Sequence, residues 1–191
     1  MRLDCWKKKR DVMRHYNHIA DAYDSLYEVE QIRKIELALK FVHSNASDLI
    51  LDVGCGTGIL LKYVRNNSGF FVGVDLSLRL LKIAAHYSSL RKKAHTCLIC
   101  ADACFLPFRG EVFDKVFAFT LMQNIPELRT AVREMVRVAK RNSWLTITGL
   151  KKNFSVEDFG KVLDEAGLKF SIVDFGEQTK DIIAVGCKTY G

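Results

Sequence analysis

Asp52-Val53-Gly54-Cys55-Gly56-Thr57-Gly58 is the stretch whose residue types and spacing point most directly to chemistry. Its glycines permit a tight turn and let backbone N–H groups approach a ligand where a helix begins. The spacing is G-x-G-x-G with Ile59 following, so the G-x-G-x-x-G of dinucleotide binding is not met. No Gly-Lys-Ser/Thr is present, which disfavours a phosphate-binding P-loop. Asp75 follows the glycines by about the separation at which an acidic residue accepts hydrogen bonds from two ribose hydroxyls.

The elements that must position them alternate. Leu49-Ile50-Leu51-Asp52-Val53 is a short apolar run ending in glycines, the pattern of a buried parallel strand, and a helix starts near Thr57. Strand is predicted over 70–74, 96–100, 113–119 and 144–148, with helices over 77–87, 127–140 and 155–166 between or after them. Ser77 is placed to cap one of these helices and Gly167 to end another. The last strands, 169–175 and 181–187, have no helix-length sequence between them and read as an antiparallel hairpin. Ahead of the first strand, helices are predicted over 12–26 and 29–44, the former with Tyr16, Ile19, Ala20 and Tyr23 on one face. The sum is a doubly wound α/β fold, with a seven-stranded, mostly parallel sheet and an antiparallel C-terminal hairpin. Its ligand site is expected at the carboxyl ends of the strands, near the topological switch point.

Four motifs in order carry a family resemblance. Leu51 to Gly58 resembles the first motif of class I S-adenosylmethionine-dependent methyltransferases, and Val72-Gly73-Val74-Asp75-Leu76-Ser77 the second. Cys100-Ala101-Asp102-Ala103 with Leu106-Pro107-Phe108 resembles the third, and Phe113 to Phe119 with Asn124-Ile125-Pro126 the fourth. The resemblance runs from about Tyr16 to the C-terminus and implies a Rossmann-like methyltransferase fold with S-adenosylmethionine as cofactor. It implies that Gly54 and Gly56, within the turn that also holds Cys55 and Gly58, border the methionine moiety and ribose. By the same resemblance Asp52 orients the amino-acid end, Asp75 with Leu76 meets the ribose, and Asp102 receives the adenine amino group beside Ala103. Phe119, Thr120 and Leu121 line the floor near the sulfonium.

The fourth motif departs from that of adenine amino-methyltransferases, Asn/Asp-Pro-Pro-Tyr/Phe. Here the sequence is Gln123-Asn124-Ile125-Pro126-Glu127, and Asn124 lies five residues past Phe119, so it reads as a turn and helix-start residue. Tyr16-Asn17-His18-Ile19-Ala20-Asp21-Ala22-Tyr23-Asp24 resembles the broad group whose leading helix folds across the cofactor. Tyr16 and Tyr23 then either close the site or pack that helix onto the core. His15 and His18 have no supporting constellation, and no catalytic residue is assigned, because methyl transfer from an activated sulfonium needs alignment more than a universal base.

Of 191 residues, 49% are hydrophobic and 27% charged, which fits an ordinary globular protein and one methyltransferase domain over 1–191, with 1–30 a basic N-terminal segment and lid helix. Six cysteines include Cys97, Cys100 and Cys104 in C-x2-C-x3-C, yet strand alternation sends Cys97 and Cys100 to opposite faces, so free thiols and no metal are expected. The N-terminus has positive charge without a following apolar run, and no stretch approaches the ~18 apolar residues of a membrane span, so a cytoplasmic location without membrane association is expected. Net charge is +7, with basic clusters at Lys7 to Arg10, 91–93, Arg137 to Arg141 and Lys151-Lys152. That charge favours a polyanionic substrate such as transfer or ribosomal RNA, the alternative being a solvated surface. The region around Tyr16 to Tyr23 and Asp102 to Phe108 resembles tRNA wobble-uridine methyltransferases and, equally, quinone and other small-molecule methyltransferases. The acceptor is therefore an O, N or C atom of RNA or of a small molecule, with a small activator subunit as a partner. An inactive cofactor-binding subunit of a complex is the reading from another class.

Overall fold

The computed structural model describes residues 2–43, 45–64, 69–89, 95–173 and 175–188, with side chains from residue 4 onward. The basic stretch 91–93 lies outside the described residues. Seven strands form one sheet: β1 (Leu49–Val53), β2 (Phe70–Asp75), β3 (His95–Cys100), β4 (Phe113–Ala118), β5 (Ala139–Leu150), β6 (Leu168–Val173) and β7 (Asp181–Lys188). Their order is β3-β2-β1-β4-β5-β7-β6. The first five are parallel neighbours, and β7 runs antiparallel between β5 and β6. The order turns back between β1 and β4, so a crevice opens at their carboxyl ends, the place where open α/β sheets bind ligands.

Burial explains the strand sequences. Ile50, Leu51, Val53, Val116, Phe117 and Ala118 are fully buried because β1 and β4 have layers on both faces. Leu51, Val53, Val116 and Ala118 join a cluster with α5 (Leu128–Val138) and α6 (Val156–Glu165). Ile50 and Phe117 face the other cluster, with α2 (Tyr23–Leu39) and α3 (Ile59–Val64). α4 (Leu78–Ser89) starts at Ser77, whose Oγ accepts from the Leu80 N–H at 3.2 Å, the N-cap bond.

Several boundaries differ from the sequence reading, among them the second helix, which spans Tyr23–Leu39 and not 29–44. The leading helix α1 spans Arg2–Ile19, and the break before α2 is a 3-10 turn at Ala20–Ala22, where the periodicity predicts continuous helix to 26. Charged residues at 2–11 hid the first turns, because their side chains make no apolar stripe. The helix predicted over 127–140 stops at Val138, and β5 begins at Ala139 instead of Trp144. The early part of β5 pairs Ala139 with Phe113 before a register shift, and Asn142 takes φ +58, a conformation that asparagine tolerates.

Candidate functional site

The glycine turn leaves β1 with backbone angles that explain its composition. Gly54 has φ +76, and a Cβ there would sit 2.8 Å from Leu121 Cδ1. Gly56 has φ +54, so the left-handed backbone asks for glycine, while a Cβ there would meet Tyr23 only at an ordinary 3.7 Å. The turn is tied to β2, since the Gly54 and Cys55 N–H groups donate to Val74 O at 2.7 and 3.0 Å. Asp75 accepts from the Gly56 N–H at 2.9 Å and the Ser77 N–H at 2.7 Å, so its carboxylate stands fixed beside the glycines. Burial pushes its pKa up, against the hydrogen bonds of those two N–H groups.

A cleft of about 770 Å³ opens above these residues. Gly54, Gly56, Asp75, Leu76, Asp102, Ala103 and Phe119 all line it, as do Tyr16 and Tyr23 from the leading helices. Asp52 and Cys55 do not; they line a smaller cavity of about 290 Å³ on the other side of the turn, which Tyr23, Gly54 and Phe119 share. Asp52 is 3% exposed, and burial, then the Asp75 charge, pushes its pKa up to about 8. Burial likewise holds the Cys55 thiol well above its ordinary range. Gly58 lines none of these cavities and packs against Ala84 of α4.

Lys9, Val12 and Met13 carried no functional reading in the sequence, whereas their neighbour Tyr16 did. Lys9, Val12, Met13 and Tyr16 stand at helical spacing on one face of α1 and all reach the cleft, a stripe interrupted in apolarity by the lysine itself. Lys9 is 6% exposed and donates to Asp102 Oδ2 at 2.8 Å and Glu127 Oε2 at 2.7 Å. Burial alone lowers a lysine's pKa, but the two carboxylates outweigh it and hold the ammonium above its ordinary range. Asp102 also accepts the Cys104 N–H at 2.9 Å, and a carboxylate with about four acceptor directions keeps room for a further donor. Asn124 ends a 3-10 turn, Met122–Asn124, and α5 starts only at Leu128. Its Nδ2 donates to Tyr16 Oη at 2.9 Å and Thr120 O at 3.2 Å, so it joins the roof of the cleft to its floor.

α1 and the start of α2 are thus fastened to every strand-end loop around the cleft. Asp24 accepts from Thr57 Oγ1 at 2.5 Å after β1, and Asn17 accepts from Ser77 Oγ at 2.7 Å after β2. Arg79 adds an ion pair with Asp21. Lys9 reaches the loop after β3, and Tyr16 the loop after β4. His15 and His18 are exposed, outside this set. Of the three spaced cysteines, Cys100 faces Leu76 O at 3.6 Å and Cys104 faces Glu127 O at 3.8 Å, while Cys97 packs on the core. Among the described residues no cluster of His, Cys, Asp or Glu is arranged to hold a metal ion.

The donor set fits a nucleoside with a cationic thioether-derived tail: bare backbone at Gly54 and Gly56, carboxylates at Asp75 and Asp102, and apolar walls at Leu76, Leu80 and Ile125. Comparison with known proteins agrees. The methyltransferase domain family matches residues 51–147. An uncharacterised protein of Methanocaldococcus jannaschii is 35% identical over 134 residues, covering 70% of this chain and 49% of that protein. A chloroplastic 2-phytyl-1,4-beta-naphthoquinone methyltransferase of Arabidopsis thaliana is 32% identical over 157 residues, covering 75% of this chain and 59% of that protein. A tRNA (carboxymethyluridine(34)-5-O)-methyltransferase of the same plant is 33% identical over 146 residues, covering 74% and 33%. The chain spans less than two-thirds of the length of each of these relatives. In fold, it superposes with TM-score 0.78 and 16% identity on a chain from a complex between the Haloferax volcanii Trm112 methyltransferase activator and a methyltransferase, covering 92% of this chain and 98% of that one. With the match extending over just over half of its residues, from the glycine turn into β5, the chain belongs to the methyltransferase domain family, class I in fold, whose cofactor is S-adenosylmethionine.

Proposed function

We propose that the protein transfers the methyl group of S-adenosylmethionine to an RNA acceptor, and that the residues lining the 770 Å³ cleft hold the cofactor. The observation that supports this most directly is that one cleft, at the point where the strand order reverses, joins the glycine turn, Asp75 and Asp102. When bound, the cofactor supplies an activated methyl whose departure leaves the C–S electron pair on sulfur, while the acceptor's proton passes to solvent. In this reading Asp75 grips the ribose, Asp102 takes the adenine amino group, and Asp52 faces the amino-acid end through the smaller cavity. Tyr16 and Tyr23 close the cleft from above and exclude water. Phe119 and Leu121 give the reacting centre an apolar floor, so alignment and desolvation do the catalytic work.

The RNA acceptor is supported by the net charge of +7 and by the tRNA methyltransferase among the relatives. A quinone acceptor is the second reading, favoured by the naphthoquinone methyltransferase. The activator bound in the Haloferax volcanii complex supports including a small helper subunit in the assay. Purified protein with tritiated cofactor, offered bulk RNA and a lipid extract in parallel, separates these readings. Label is expected in RNA, falling steeply as salt rises because phosphate contacts release counterions. Label confined to the lipid extract removes RNA as the acceptor.

A further inference from the structure

Beside the cofactor cleft lies a second cavity of about 750 Å³. The two share Tyr16, Tyr23, Thr120 and Asn124, so a molecule in the second cavity reaches the first at their common wall. Apart from those four, the second cavity is lined by Tyr27, Gln31, Gln123, Leu150, Lys152 and Asn153. Leu150 is the one aliphatic side chain there. A prenylated ring needs an apolar channel, and this lining does not offer one.

The wall is built rather than incidental. Thr120 holds φ +55, an uncommon angle for a β-branched residue that persists only where the surroundings enforce it. Its N–H donates to Thr148 Oγ1 at 2.9 Å, and its hydroxyl donates to Gln31 Oε1 at 3.1 Å while accepting from Lys34 Nζ at 2.7 Å. Lys34 is itself paired with Asp181 at 2.6 Å, both essentially inaccessible. So anchored, the Thr120 carbonyl accepts from Gln123 Nε2 at 2.7 Å and from Asn124 Nδ2 at 3.2 Å.

That carbonyl decides which way both amides face. A carbonyl oxygen takes only a donor, so the nitrogen of each amide turns to Thr120 and the oxygen is left over. Both N–H groups of Asn124 are spoken for, one by Thr120 and one by Tyr16. Gln123 Oε1 is buried without a partner, an arrangement that costs stability unless a ligand supplies the missing donor. At Gln123, therefore, the wall lacks a donor that an N–H group supplies. Tyr27, 38% exposed and in ring contact with Tyr23 at 5.2 Å, offers a flat face, and Lys152 is an exposed cation on the same cavity.

We propose that this second cavity is the acceptor pocket and takes an unpaired RNA base, read through its N–H groups by Gln123 and stacked on Tyr27. The inference rests on the methyltransferase reading for the placement of the methyl group. An unpaired base presents ring or exocyclic N–H donors, a π-face and a phosphodiester, matching Gln123, Tyr27 and Lys152 in turn. At Gln123 a quinone carbonyl would set acceptor against acceptor.

The test uses short single-stranded RNAs carrying one 4-thiouridine or 6-thioguanosine, irradiated on the full chain with S-adenosylhomocysteine present. Mass spectrometry is expected to map cross-links to Tyr27, Gln123 or Asn153. Cross-links confined to other surfaces, or none, overturn the proposal. Gln123→Leu is expected to lower kcat/KM for RNA by about tenfold or more, as the loss of one buried hydrogen bond implies, with Gln123→Asn intermediate. Unchanged RNA transfer in Gln123→Leu also overturns it. Calorimetry with S-adenosylhomocysteine is read separately: absent binding to the wild type sinks the cofactor reading, whereas normal binding with misplaced cross-links sinks only the pocket.

Discussion

The floor and the roof of the cleft are held by different physics. The floor consists of the ends of β1 and β4, where Val53, Phe117 and Ala118 are fully buried and the strained Thr120 is pinned by Lys34. The roof is α1, in which Lys9 is the one buried side chain among those described, and its attachments are hydrogen bonds and ion pairs to loops. Apolar packing is non-directional and hard to undo piecemeal, whereas a polar clasp opens when one partner leaves. A rigid floor under a detachable roof suits an enzyme that aligns a reaction and then exchanges its cofactor.

The largest effect is expected where the floor depends on charge. Lys34 and Asp181 are 1% and 0% exposed at their side chains, so removing one partner strands the other in a dry environment. Lys34→Ala is expected to cost about 3–5 kcal/mol in urea unfolding. The double variant Lys34→Met with Asp181→Leu should recover most of that loss. If the single and double variants are equally unstable, the pair is not what holds Thr120.

A second test separates floor from roof by pH. Asp52 lies beneath the glycine turn with its pKa raised from 3.8 to about 8 by burial and by Asp75. Between those values the folded chain keeps a proton that the unfolded chain releases. Stability from this group is therefore complete below about pH 4 and is lost as pH rises toward 8, with a slope of at most about 1.4 kcal/mol per pH unit. Asp52→Asn should flatten that part of the profile. The cationic cofactor favours the ionised acid, so its binding near pH 7 should release a fraction of a proton, seen as buffer-dependent heat in the wild type only. Parallel profiles and buffer-independent heats in both proteins would count against this assignment.

The same contrast governs what could be read from the sequence. The floor was legible because its causes are local: apolar runs, glycines at positions of positive φ, and an acidic residue closing β2. The strand alternation then led to the correct sheet and its antiparallel hairpin. Of the roof, the sequence offered a leading helix carrying Tyr16 and Tyr23 but not its fastenings, because Lys9 is bound to Asp102 and Glu127, 93 and 118 residues away, and a lysine within a basic cluster reads as solvated surface. Asn124 was hidden for a related reason. Its turn position followed from Asn-Ile-Pro, but its bond to Tyr16 spans 108 residues. The resemblance placed Thr120 on the floor, but nothing in the residue type announces its left-handed backbone.

Breaking the roof at Lys9 should leave the fold standing and speed cofactor exchange. Lys9→Met removes the ammonium, which lies 5.6 Å from the centre of the Phe105 ring, and leaves Asp102 and Glu127 without the cation they share. Their side chains are 18% and 35% exposed, so water offsets part of the loss, and about 1–2 kcal/mol is expected. Hydrogen exchange should rise throughout α1 and stay unchanged in β1 and β4. Stopped-flow measurement should show S-adenosylhomocysteine leaving about tenfold faster.

The smallest change sharpens the comparison most. Tyr16→Phe removes one oxygen from the roof and keeps the ring that lines both cavities. Asn124 Nδ2 then loses the acceptor at 2.9 Å and keeps the Thr120 carbonyl at 3.2 Å, so the floor side of the link survives. The expected cost is about 0.5–1.5 kcal/mol, visible as a modest rise in exchange confined to the C-terminal turn of α1. Together with Lys9→Met it forms a double-mutant cycle between the Asp102 end and the Asn124 end of the cleft. If α1 moves as one rigid helix, the two losses couple, because releasing either end frees the other. Strict additivity would show that each end of the roof opens independently, and α1 would then be two local latches rather than one lid.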